Sequence, residues 1–206
     1  MISKQLTNFY IVRHGQTDGN IQQLLQGHMD IPLNDTGRQQ AKETAEKLRK
    51  IKFDLAFSSD LMRARETTEI IALEHNLEVQ TTQLLRERHF GENEGKNYAA
   101  LKAFDKLFQS LSYEKQRVAY SGKNAENDEE ICTRLITFIR ETAITHPGQT
   151  ILVGTHGGIM RAFLIHLGFL HYKTGFDAIE NLSYFLLKSD GGDFFIKDSY
   201  GINTKA

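Results

Sequence analysis

The stretch Asn8-Phe9-Tyr10-Ile11-Val12-Arg13-His14-Gly15-Gln16-Thr17 decides the fold. Asn8 to Arg13 is rich in β-formers, and Gly15 marks a turn directly after it. The segment therefore reads as a strand with a charged, glycine-bearing exit. A second exit of this kind follows Thr150 to Thr155, an apolar strand suited to burial on both faces, where His156-Gly157-Gly158 comes next. Between the two, helix-like and strand-like segments alternate. Thr36 to Lys50 puts Ala41, Ala45 and Leu48 on one helical face. Asp54 to Ser58 reads as a strand. Ser59 or Asp60 is the expected cap of the next helix, where Leu61, Ala64, Thr68 and Ile71 share a face. Glu78 to Thr82 is a weaker strand, and Tyr98 to Ser110 is expected to be helical.

Asp128 to Thr145 carries the clearest helical signal, with Ile131, Leu135, Phe138 and Ile139 on one side and Pro147-Gly148 as the stop. Gly157 to Leu167 returns as a helix. Asn181 to Lys188 and Asp193 to Lys197 form a final hairpin around Gly191-Gly192. Alternation of strand and helix demands crossover connections. The expected fold is α/β, a three-layer α/β/α sandwich with a mostly parallel central sheet. Residues 1–206 are expected to form one domain with a polar insertion or lid around 96–127, whose stretch from Leu111 to Asn127 shows no clear period. In such sheets ligands bind beyond the carboxyl ends of the strands.

Composition excludes several classes. A chain of 206 residues, 40% hydrophobic, builds its own core. The 25 basic and 26 acidic residues leave a net charge of -1, with no basic excess for nucleic acid or an anionic membrane. No apolar run is long enough to span a bilayer. Cys132 is the single cysteine, so no intrachain disulfide forms, and a cytoplasmic protein is expected. Oligomeric state is not legible.

The strand exits carry the chemistry. Arg13-His14-Gly15, Asp60-Leu61-Met62-Arg63, Arg86-Glu87-Arg88 and His156-Gly157-Gly158 together supply two histidines, several arginines and a carboxylate. A phosphate monoester brings about two negative charges and suits the planar fork of arginine. Glycines beside each histidine let backbone N–H groups approach an anion. A neutral imidazole attacks phosphorus, and arginines nearby disfavour its protonation. A carboxylic acid can protonate the leaving alkoxide and later deprotonate water. No His-Glu-x-x-His, paired cysteine, Walker loop or nucleophile elbow occurs, so no metal or cofactor is expected.

Arg13-His14-Gly15 with Thr17 and Asn20 resembles the signature of the histidine phosphatase superfamily, the phosphoglycerate mutase-like fold. The resemblance continues in order through Gln26-Gly27, Asp30-Ile31-Pro32-Leu33, Thr36-Gly37-Arg38, Ser58 to Ala64, Leu85-Arg86-Glu87, Glu94-Gly95 and Thr155 to Gly158. It implies that His14 is the phosphorylated nucleophile, that Arg13 and Arg63 clamp the phosphoryl oxygens, and that His156 donates to the same group. It further implies Glu87 as proton donor and base, Asn20 and the backbone of Gly157 as phosphate contacts, and Thr17, Gln26 and Gly27 among the substrate-binding residues.

The short stretch between Glu87 and His156 looks like a phosphatase rather than a mutase, which must exclude water from phosphohistidine. Leu85 to Arg88 with Gly91 and Glu94-Gly95-Lys96 is similar to TIGAR-type fructose-2,6-bisphosphatases. The implied activity is metal-independent hydrolysis of a small phosphorylated metabolite of sugar bisphosphate or phosphoglycerate type. The alternatives are a mutase-type phosphotransferase and an inactive phospho-ligand-binding module. Two departures stand out: Asn124-Ala125-Glu126-Asn127 where relatives carry Gly-Gly-Glu-Ser or Gly-Gly-Glu-Thr, and Asn93 where other branches carry tryptophan.

The remaining residues have blander readings. His75, His89, His146, His166 and His171 read as surface or packing residues, while His28 lies near a substrate loop. Arg86 and Arg88 read as solvated or paired. Lys96, Lys102 and Lys123 are an ordinary solvated face or else a distal phosphate patch. Cys132 is a packing residue.

Overall fold

A computed structural model describes residues 5–205. Six strands form one sheet in the order β3-β2-β4-β1-β5-β6. They are β1 (Thr7–Arg13), β2 (Leu55–Ser59), β3 (Val79–Thr82), β4 (Thr150–Thr155), β5 (Ile179–Ser189) and β6 (Phe194–Ile202). The first four run parallel, and β5 and β6 are antiparallel additions along one side. Strand β1 lies between β4 and β5, with Arg13 in register with Thr155. Both histidine-bearing exits therefore open at the same edge of the sheet.

The helices are α1 (Asp18–Ile21), α2 (Asp35–Leu48), α3 (Met62–Leu73), α4 (Lys102–Gln109), α5 (Tyr113–Arg117), α6 (Asp128–Thr145) and α7 (Gly157–His166). The two-residue period of the strands sorts side chains to opposite layers. Phe9, Ile11, Ile151 and Val153 pack with α6 and α7 on one face. Val12 and Leu152 pack with Ala45 and Leu48 of α2 and Ile71 and Ala72 of α3 on the other. These are the three layers expected from the alternation of elements. Among the described residues no helix is long and apolar enough to cross a membrane.

Local differences have local causes. Helix α3 is capped by neither Ser59 nor Asp60. Leu61 holds the cap position without a side-chain bond. Ser59 Oγ accepts from Leu61 N, and Asp60 pairs with Arg86 through two hydrogen bonds of 2.7 and 2.6 Å. Asn34 caps α2, so that helix starts one residue earlier than the apolar face suggested. The segment from Tyr98 opens as a 3-10 turn over Tyr98–Leu101 before α4. The polar stretch after it holds the short α5. At the start of α6, Asn127 and Glu130 form a reciprocal capping box, which sets the first turn of the longest helix. Asn124 has φ +59°, a left-handed conformation that glycine adopts freely and asparagine tolerates best among the rest.

Candidate active site

The exits of β1 and β4, the start of α3 and the loop after β3 converge on a cleft of about 790 Å3. His14, Arg13, Arg63 and Glu87 line it, with Asn20, Gln26, Gly27 and Gly157. His156 lies immediately behind, fully buried, its ring 5.2 Å from that of His14 in an edge-to-face arrangement.

Each group is held by the backbone around it. His14 Nδ1 lies 2.7 Å from the carbonyl oxygen of Gly15. A carbonyl only accepts, so Nδ1 carries the proton and Nε2 keeps its lone pair. Burial, and after it the charges of Arg63 and Arg13, holds the His14 imidazole well below its ordinary value. The sequence singled out the arginines as the cause, but desolvation is the larger effect. His156 is shifted in the same direction, by burial first and Arg63 next, and neither of its ring nitrogens has a hydrogen-bond partner.

Arg63 is 1% exposed. Its Nη1 and Nη2 donate to the carbonyls of Met29 and Gly27, both at 2.8 Å, which leaves Nε without a partner. Burial brings its pKa down to about 10, so it stays cationic at neutral pH. Arg13 donates through Nη1 to the carbonyl of Ile179, and its Nε also lacks a partner. Two guanidinium groups anchored through their Nη atoms thus line the cleft, and the unpartnered ring of His156 packs behind them against His14. An unpaired buried donor is costly, and an anion in the cleft relieves that cost.

Glu87 is fixed by three backbone N–H groups. Oε1 accepts from Arg88 N at 2.7 Å and Ile159 N at 3.1 Å, and Oε2 from Gly158 N at 2.9 Å. The anion that the Gly158 amide meets is this carboxylate, rather than the ligand expected from the glycine pair. A Cβ on Gly158 would fall inside contact distance of Glu87 Oε1, so the close approach requires glycine. Gly157, one residue earlier, has no acceptor for its N–H among the described residues.

The residues expected around the centre divide into two sets. Asn20 lines the cleft, and its Oδ1 is tied to Thr17 N at 3.0 Å, so the amide nitrogen is the atom left for a ligand. Gln26 lines the cleft, with Oε1 accepting from Thr17 Oγ1 at 3.0 Å. Thr17 itself is not among the cleft-lining residues. It is fully buried, caps α1 and orients Asn20 and Gln26 from behind. None of Lys96, Lys102 and Lys123 lines the cleft, and Lys96 Nζ bonds Asn93 Oδ1 at 3.1 Å.

Arg86 and Arg88 are paired, with Asp60 and Asp128 respectively. His28 donates through Nε2 to the Glu87 carbonyl at 2.9 Å, and its ring packs on His89. Glu126, the glutamate kept in the altered Asn124 to Asn127 stretch, pairs with Arg134 at 2.8 Å and accepts from His89 N. Cys132 is buried, with its thiol pushed up to about 12 by burial, as a packing residue would be.

Four further residues around the cleft were not singled out from the sequence. Asn181, at the start of β5, donates to the His14 carbonyl at 2.9 Å. Tyr98 lines the cleft in the field of Arg13, Glu87 and Arg63, and burial raises its phenol. Arg161 and Asp105 line the cleft too, and are shared with a second, smaller cavity. Arg161 had a signal: it is the one charged residue in the apolar run from Ile159 to Ile165.

An α/β sheet that gathers two histidines, two arginines and a carboxylate at its parallel-strand exits defines a phosphoryl-handling enzyme. The chain belongs to the histidine phosphatase superfamily (branch 1), whose profile matches residues 9–200. It is 41% identical over 155 residues to phosphoglycerate mutase-like protein 4 of Arabidopsis thaliana, covering 74% of this chain and 67% of that one. It is 32% identical over 179 residues to a metal-independent phosphoserine phosphatase of the same plant, covering 81% and 71%. Among solved structures, phosphoglycerate mutase from Bacillus anthracis str. Sterne superposes with a TM-score of 0.81 at 29% identity, covering 97% of this chain and 94% of that one.

Proposed function

We propose that the protein is a metal-independent phosphatase that hydrolyses a small phosphorylated metabolite through a phosphohistidine on His14. The observation that carries this reading is the His14 Nδ1 to Gly15 carbonyl bond, which turns an unprotonated Nε2 into a cleft bearing two anchored guanidinium groups. In the first step Nε2 forms a bond to phosphorus as the ester P–O bond breaks. Glu87, which enters this step as the protonated acid, gives its proton to the departing oxygen, which leaves as an alcohol. Arg13, Arg63 and His156 face the equatorial oxygens, where charge collects in a loose transition state. In the second step water attacks phosphorus, Glu87 takes its proton, and the P–N bond breaks to release phosphate and neutral His14.

The resemblance to TIGAR-type fructose-2,6-bisphosphatases supports a small phosphorylated substrate. It is not carried further to a bisphosphate, because the lysines that would meet a second phosphate do not line the cleft. A mutase-type phosphotransferase is the second reading, favoured by the likeness to phosphoglycerate mutase-like protein 4. Free phosphate released from p-nitrophenyl phosphate and from phosphorylated metabolites tests the proposal. A mutase would instead need a bisphosphate primer and release little free phosphate.

A further inference from the structure

The cleft does not end at the phosphoryl pole. It continues into a side cavity of about 390 Å3, and the two share Arg88, Phe90, Leu101, Asp105 and Arg161. Phe104 and Phe108 complete the cavity's aromatic wall. The arginines here are engaged. Arg88 pairs with Asp128 and donates to the Glu126 carbonyl, and Arg161 donates to the carbonyls of Tyr172 and Thr174 at 3.1 and 2.8 Å. Asp105, on α4, is half-buried and has neither a hydrogen bond nor an ion pair among the described residues.

We propose that Asp105 is a specificity-determining residue: it accepts a hydrogen bond from an ammonium or hydroxyl group on the alcohol part of the substrate. The site then favours phosphomonoesters whose leaving alcohol carries such a donor, and disfavours those that carry a second anion there. This rests on the phosphatase reading of the same cleft.

An ionised carboxylate is acceptor-only, so the partner it lacks must be a donor. Leaving a carboxylate part-buried and unpaired is unfavourable, and burial indeed raises the Asp105 carboxyl against the opposing charge of Arg161. A second phosphate or a carboxylate placed beside it adds like-charge repulsion, while the Arg88 charge is already met by Asp128 and the Arg161 guanidinium is turned to the Tyr172 and Thr174 carbonyls. An alkylammonium meets a carboxylate together with aromatic rings, which attract cations.

The test compares O-phosphoethanolamine, which carries an ammonium, with glycerol phosphate, which carries hydroxyls, and phosphoglycolate, which carries a carboxylate. The wild type, Asp105→Asn and Asp105→Ala are measured as kcat/KM, or as inhibition constants against p-nitrophenyl phosphate where turnover is slow. The wild type should favour the two donor-bearing esters over phosphoglycolate by about tenfold or more. Asp105→Asn should lose the preference for phosphoethanolamine and keep part of that for glycerol phosphate, since an amide oxygen still accepts. Asp105→Ala should lose both. Unchanged ratios among the three substrates in both variants, or a wild type that prefers phosphoglycolate, overturn the proposal. A wild type without phosphatase activity even on p-nitrophenyl phosphate removes the reading beneath it, a result distinct from altered selectivity.

Discussion

Glu87 Oε2 accepts a 2.9 Å hydrogen bond from the backbone N–H of Gly158, a residue 71 positions further along the chain and two past His156. The carboxylate on the loop after β3 and the histidine at the end of β4 are thereby locked in one frame. Gly158→Ala should force the carboxylate aside, because the new methyl group meets Oε1. The expected outcome is a kcat lower by about tenfold to a hundredfold with a much smaller change in KM, since misplacement of a catalytic group costs rate before it costs binding. Steady-state kinetics on an alkyl phosphate checks it.

His14→Ala should abolish turnover, including that of p-nitrophenyl phosphate. Rapid acid-free quenching of the wild type should trap a labelled phosphoenzyme that survives alkali and is lost in acid, the stability of a P–N bond. A variant at wild-type turnover would remove the nucleophile from His14.

Glu87→Gln should slow substrates with poor leaving groups far more than p-nitrophenyl phosphate, whose phenolate needs no proton. It also sets an amide NH2 against a ring of N–H donors, so a loss of about 1–3 kcal/mol of stability should accompany it. Equal rate losses on alkyl and nitrophenyl esters would count against proton donation.

Arg63→Lys should raise KM for phosphate esters and lower kcat/KM by about a hundredfold. A lysine ammonium cannot bond the carbonyls of both Gly27 and Met29 and still present a planar donor to the cleft. Competition with inorganic phosphate gives the binding part separately.

The pH dependence follows from the two buried histidines. Both are held below the ordinary imidazole value of 6.5 in the folded chain. Activity should therefore persist below pH 6.5 and fall only once His14 protonates. Stability behaves differently. The unfolded chain binds protons at these sites from about pH 6.5 downward while the folded chain does not, so stability is full above that value and declines below it. The slope is at most about 1.4 kcal/mol per pH unit for each histidine, ending once pH passes the folded pKa values. Denaturant unfolding between pH 7 and pH 5 measures it, and a stability that is flat over that range would contradict the burial effect.

Much of this was legible because local chemistry and global fold agree. The α6 apolar face, the β-rich run of β1 and the glycines after each histidine speak for themselves. Thr17 falls in the family motif yet does not line the cleft: it caps α1 and aligns Asn20 and Gln26, which do. Asp60 misled because a good helix cap is also a good arginine partner, and Arg86 was the closer claim. Asp105 and Asn181 were invisible because their roles exist only after chain segments distant in sequence meet. At the Asn124 departure the backbone is left-handed, a conformation that asparagine accepts.

Strand β1 is flanked by β4 and β5, and Arg13 and His14 take bearings from Ile179 and Asn181. Both flanking strands follow β1 in the chain, so a ribosome delivers His14 before the strands that support it on either side. On the proposed mechanism, competence therefore waits until β4 and β5 dock on either side of β1.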